Sequence, residues 1–249
     1  MTQALLLLLI GFGSGLAGVL TSVASLISYP ALLAMGLPPV SANVTNTMAV
    51  LFTGAGAAAG SRPELAGKRE VVLRLSALAA VGGAIGAALL LLAPASTFHV
   101  VVPFLIGGSS LFLLAQPYLA RRRAEHATDP PHRPARWLYL AFLASAVYTG
   151  YFGAAGAVMI LAILAAMYPA WTAQQSNAVK ALVSFAGNGA AAIGFAFFGP
   201  VHWAFVIPLA LGSFLGGRIG PSLARRMPGT ALRILAATCG LAMAVKFAL

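Results

Sequence analysis

At 249 residues, with 60% hydrophobic and only 8% charged side chains, the chain has too little polar sequence to clothe a soluble globule of its size. Apolar runs near twenty residues, enough for a helix to cross a ~30 Å hydrocarbon core, recur along it, and none shows the apolar–polar alternation of a barrel strand. The net charge of +11 falls mostly in short connections between these runs, where it encodes orientation in a bilayer and not affinity for nucleic acid.

The expected fold is an all-α integral membrane protein. Helical segments are expected in the first half at about 3–19, 22–35, 40–60, 70–92 and 97–116. The run from Ala4 has no basic flank and no A-x-A site, so it reads as a retained span and not a signal peptide. It leads into the join Gly18-Val-Leu-Thr21-Ser22-Val-Ala-Ser25. Glycine and hydroxyl residues where two short segments meet are what a discontinuous membrane helix needs, because unpaired backbone groups in hydrocarbon are costly. The third segment follows Gly-Leu-Pro-Pro at 36–39 and opens on Asn43, Thr45, Asn46 and Thr47, with Ser41 available as a cap. Charged Ser-Arg-Pro-Glu at 61–64 and then Pro94 punctuate the rest.

Residues 119–136, with Pro130, Pro131, Pro134 and several arginines, form the polar linker between a first membrane repeat, 1–118, and a second, 137–249. Segments in the second half are expected at about 137–151, 153–168, 172–197, 203–224 and 229–248. Its first join reads Gly150-Tyr-Phe-Gly153-Ala-Ala-Gly156, and its third segment opens on Gln174, Gln175, Ser176, Asn177 and Lys180, with Thr172 as cap.

The two halves carry the same order of landmarks. A shift of 131 pairs Pro38 with Pro169, Asn46 with Asn177, Thr53 with Ser184 and Lys180 with Ala49. A shift of 134 pairs GGAIG at 82–86 with GGRIG at 216–220. Basic residues cluster at Arg62–Arg74, in the linker, and at Arg225–Arg233. Placing all three clusters in the cytoplasm puts both termini outside and makes the halves inverted repeats of about five segments each, some short or broken. The first two segments of each half then either both cross or form a re-entrant hairpin, and they cannot merge into one span. A parallel arrangement of four spans per half is the alternative, and it sets Arg225 and Arg226 against the charge rule.

The helix starts at the joins would offer free N–H groups and partial positive charge to an anion, from Thr21, Ser22, Ser25, Gly153 and Gly156. The competing reading is small-residue helix packing. Asn43, Thr45, Asn46 and Asn177 would add polar side chains, either as site residues or as partners for a helix start. Lys180 lies about eight residues, ~12 Å, into its helix. An intramembrane cation suits a transported anion, and snorkelling to the interface is its rival. All four acidic residues, Glu64, Glu70, Glu125 and Asp129, fall in charged connections, so no buried carboxylate is available for cation coupling. His99, His126, His132 and His202 suggest no metal site, and Cys239 reads as a small core residue without a disulfide partner.

Three stretches, GLPPVSANVTNTMAV (36–50), SNAVKALVSFAGN (176–188) and the GGRIG near the end of the penultimate segment, resemble the sulfite exporter TauE/SafE family, also called the 4-toluene sulfonate uptake permease family. The second stretch adds Ser184 and Asn188 to the candidate substrate-binding residues. The resemblance runs the length of the chain and implies a bacterial inner-membrane permease for sulfite, sulfonates or other small organic anions. One departure is Ser22-Val23-Ala24, where many members carry glycines. The expected function is therefore a secondary transporter of a small anion, working by alternating access around a midplane site in the lipid bilayer. It would need no cofactor or metal, and a homodimer is left open. A gated anion channel and a carrier for a non-sulfur organic acid are the alternatives. A membrane serine protease is not expected: Phe12 occupies the first glycine position of the motif that Gly11-Phe-Gly-Ser-Gly suggests, and no histidine lies deep within an expected membrane segment to act as base.

Overall fold

The computed structural model describes residues 2–22, 24–94, 134–153 and 156–224. Nine helices lie among them: α1 (Thr2–Leu20), α2 (Ser25–Ala34), α3 (Pro39–Gly60), α4 (Arg62–Leu65), α5 (Arg69–Leu92), α6 (Arg136–Tyr151), α7 (Gly156–Met167), α8 (Ala173–Phe198) and α9 (Trp203–Ala224). There is no strand among the described residues. The fifth segments expected at 97–116 and 229–248, nearly all of the linker, and Cys239 lie outside them.

Helices α1, α5, α8 and α9 are long and apolar enough to cross a membrane. Helix α3 is as long as α9, but its buried Asn43, Thr45, Asn46 and Thr47 dilute its hydropathy. Large side chains point outward: Ile207, Leu211, Leu215 and Ile219 form an exposed stripe along α9, while Gly212, Gly216, Gly217 and Gly220 are buried. This reverses the pattern of a soluble helix. Lipid solvates large apolar groups as well as protein does, so small residues gather where backbones must approach.

The glycines set the helix order. Helix α1 runs parallel to α9, with Gly11 against Leu209 and Gly15 against Ser213. Helix α3 flanks α9 in the same sense, with Gly56 against Phe214 and Gly60 against Arg218. In the other group, α5 is flanked by α6 (Gly82 against Ala146, Gly86 against Tyr151) and by α8 (Gly83 against Gly187, Ala87 near Gly194), again in parallel. Helices α3 and α8 meet in opposite senses, with Gly54 against Ala181 and Phe185 while Leu51 reaches Gly189. Each half thus lends its long helix after the polar one to the other half's first helix. Because α1 and α3 share one sense, the chain turns back between them through the short α2. The same holds for α7 between α6 and α8.

Local chemistry explains the turns. Helix α2 ends on Gly36 at φ +90, with Leu37 N–H bonded to Leu32 O and Gly36 N–H to Leu33 O. That pairing is a Schellman motif, which needs a left-handed residue at the glycine's position. Helix α8 opens with a reciprocal box: Gln175 N–H donates to Thr172 Oγ1 and Thr172 N–H to Gln175 Oε1. Ser41 does not cap α3, since its hydroxyl donates to Pro200 O at 2.7 Å and ties α3 to the turn before α9.

Candidate functional site

The site is built on the break between α1 and α2. A helix that stops within the protein leaves its last carbonyls without intrahelical donors. Here α8 supplies them: Asn177 Nδ2 donates to Val19 O at 2.7 Å, and Lys180 Nζ donates to Gly18 O at 3.1 Å and Ser22 Oγ at 2.8 Å. Thr21 turns back on its own helix, with Oγ1 donating to Ala17 O. Lys180 is only 4% exposed, so its charge is met by a hydroxyl and the negative end of α1 and not by snorkelling to water.

Ser22 takes φ +64, the one positive φ among described residues other than glycine. The left-handed conformation costs such a residue about 1 kcal/mol. Both Ser22→Ala and Ser22→Gly remove the hydroxyl that holds Lys180, but only glycine relieves the backbone. Ser22→Gly is therefore expected to be the more stable of the two by about 1 kcal/mol in thermal unfolding. Equal stabilities would mean that this backbone is not strained.

Across from this end lies the second join. Ser25 Oγ, at the first residue of α2, donates to Gly153 O at 3.1 Å, so the two breaks touch. Between them opens a cavity of about 650 Å³, counting the solvent space at its mouth, which extends along α3 from Val50 as far as Ser61. Ser22, Ser25, Gly153, Asn177, Lys180, Ser184 and Asn188, all expected from the sequence, lie in its wall, joined by Thr53 and Thr149. Among the described residues, Lys180 is the only ionisable side chain in that wall. Asn177 Oδ1, Ser184 Oγ, Asn188 Oδ1 and Thr53 Oγ1 are buried there without a hydrogen-bond partner. Buried polar atoms are normally paired, so such a group on one cavity wall calls for a polar occupant.

Lys180 has three N–H donors and spends two. Ser22 accepts from Lys180, which leaves its own hydroxyl hydrogen to donate. Helix α2 starts at the wall, and Ala24 gives its first N–H groups no side-chain cap. Donors therefore line a cavity whose wall also carries the apolar side chains of Val50, Leu51, Ala181 and Phe185.

The other expected residues are not brought to this wall. Asn43 Nδ2 donates to Tyr151 O at 3.0 Å, and Thr45 Oγ1 accepts from His202 N–H at 3.0 Å. Asn46 Oδ1 accepts from Ser28 Oγ, which also bonds Ser14 Oγ, tying α1, α2 and α3 together. Gly156 packs directly on Thr149. The Thr21 and Ser25 hydroxyls donate to the carbonyls of Ala17 and Gly153 and not into the cavity.

Asn43 and Asn177 do the same work, each donating its amide to the last turn of the other half's first helix. They stand 134 apart, as do the helix starts Pro39 and Ala173, and as do Thr53 and Gly187, which meet Gly217 and Gly83. The 131-residue pairing of Asn46 with Asn177 therefore does not hold in these helices. The residue 134 before Lys180 is Asn46, not Ala49.

Residues 4–247 match the family described as Sulfite exporter TauE/SafE. A Sinorhizobium protein named "Probable membrane transporter protein ORF9" is 26% identical over 240 residues, covering 93% of this chain and 88% of the relative. A "Probable membrane transporter protein" of Haemophilus influenzae is 26% identical over 251 residues, covering 97% of this chain and 92% of the relative. No solved structure matches.

Proposed function

Because this multi-pass membrane chain belongs to the Sulfite exporter TauE/SafE family of transporters, we propose that it is a secondary carrier of a small anion in a bacterial inner membrane. Sulfite, an organosulfonate or a related sulfur oxyanion is the first candidate. The observation that carries this reading is the cavity wall itself: among the described residues it holds one lysine, no carboxylate and the unpartnered hydroxyls of Thr53 and Ser184, beside the uncapped start of α2. Such a wall favours negative charge.

Alternating access by two inverted repeats is supported by helix direction. Helices α1 and α3 run with α9, whereas α6 and α8 run with α5, and α3 opposes α8. Corresponding helices of the two halves therefore point opposite ways, as inverted repeats require. The cavity reaches Ser61, which directly precedes Arg62 and the basic stretch that runs on to Lys68 and Arg69. On the reading that those basic residues and the linker lie in the cytoplasm and both termini outside, a cavity reaching that end corresponds to an inward-facing arrangement.

The test is a thermal-shift screen of the purified protein against sulfite, sulfate, thiosulfate, sulfoacetate, taurine and simple carboxylates. At least one anion is expected to raise the unfolding temperature saturably, and the same anion should show counterflow in proteoliposomes. Flux that rises linearly with gradient and shows no counterflow would overturn the carrier reading.

A further inference from the structure

We propose that the Lys180 ammonium is a tethered cation, standing at the broken end of α1 where a free alkali cation would otherwise bind, so that the anion needs no co-bound metal ion. This rests on the anion-carrier reading above. Discontinuous helices in other transporters hold coupling ions with unwound carbonyls and helix C-terminal ends. Donors of that kind are present here, but their occupant is a side chain. Gly18 O and Ser22 Oγ accept from Nζ at 3.1 and 2.8 Å, and Asn177 Oδ1 is buried in the same wall without a partner.

Two further observations favour a fixed cation over an exchangeable one. No Asp or Glu lines the cavity among the described residues, so a free ion would have only neutral oxygens there to hold it against hydration. A covalently attached ammonium cannot diffuse away and needs no such carboxylate. The other broken end is met without charge: Asn43 Nδ2 satisfies Tyr151 O, and the residue 134 before Lys180 is the neutral Asn46. The positive charge is thus placed at one end only. Its third N–H remains for the anion.

The experiment compares wild type and Lys180→Ala, purified as full chains, in chloride salts of Na⁺, K⁺, methylammonium or the bulky N-methylglucamine cation at one ionic strength. Unfolding temperature is read without and then with sulfite or whichever anion the screen selects. Wild type should behave alike in all four salts. Lys180→Ala in N-methylglucamine should unfold roughly 5–10 °C lower, since Gly18 O loses a charged donor in a protein of this size. Na⁺ or methylammonium should restore most of that loss in a saturable way, and they should restore nothing in Lys180→Met, whose side chain fills the space.

A wild type whose stability or anion response depends on Na⁺ or K⁺ overturns the proposal, and this arm needs no variant to fold. Lys180→Ala that is as stable as wild type in N-methylglucamine, or that no small cation restores, overturns it too. If no anion acts on wild type, the carrier reading fails, while the cation dependence of stability still reports on Lys180.

Discussion

Lys180→Met is expected to weaken anion binding about a hundredfold in a chain that still folds and inserts. Methionine keeps most of the buried stem and removes the ammonium. A charge-assisted hydrogen bond contributes about 1.5–3 kcal/mol, and each 1.4 kcal/mol is a factor of ten in affinity. In the same variant Gly18 O loses its lysine donor, so a modest loss of stability should accompany the loss of binding. Titration calorimetry on the anion selected by the screen reads the first effect and thermal unfolding the second. Unchanged affinity would remove Lys180 from the binding site and leave it a purely structural clasp on α1. Lys180→Arg should not restore full affinity, because a longer, planar guanidinium cannot occupy the same point between Gly18 O and Ser22 Oγ.

The second large effect concerns packing. Gly83→Ala is expected to lower stability by about 3 kcal/mol or more, since the added Cβ would run into the backbone carbonyl of Gly187, which cannot swing aside as a side chain would. The carbonyl of Gly83 is itself packed on Gly150 of α6, so α5 cannot shift toward that side to relieve the clash. Gly13→Ala is the control. A Cβ there meets nothing within 4 Å, and the change should be neutral or stabilising by up to ~1 kcal/mol through helix propensity. Thermal unfolding of both in one detergent checks the pair, and similar melting points would show that these seams are looser than their geometry.

Much of this was readable in the letters, for reasons that also explain the gaps. A bilayer dictates composition, so the helical class followed from apolar runs alone. The breaks at 18–25 and 150–156 were visible because glycine and hydroxyl residues concentrate there, and Lys180 because a cation within a membrane helix is rare. What Lys180 touches was hidden: one acceptor is the carbonyl of Gly18, a group every residue possesses. Thr149 and Thr53 gave no signal beyond their hydroxyls, and Thr53 entered only as a landmark. The register was misread for a simple reason. Helix α7 has two more residues than α2, and the turn after it, 168–172, has one more than 35–38, so aligned prolines concealed an insertion lying just before α8. Asn46 was therefore given the part that Asn43 plays.

The seam between α1 and α9 has a further consequence. Gly11 against Leu209 repeats as Gly15 against Ser213, and Gly212 against Leu8 and Phe12 repeats as Gly216 against Phe12 and Leu16. Both partners thus advance by four residues, about 6 Å of helix. A contact surface with that period is a notched rail. A shift of α9 by one notch would set glycine backbone against backbone again, whereas a half-step would drive side chains into the grooves that the glycines vacate. Any displacement along this seam would therefore favour whole notches, each comparable in size to the one-turn ratchets by which packed helices switch between discrete states.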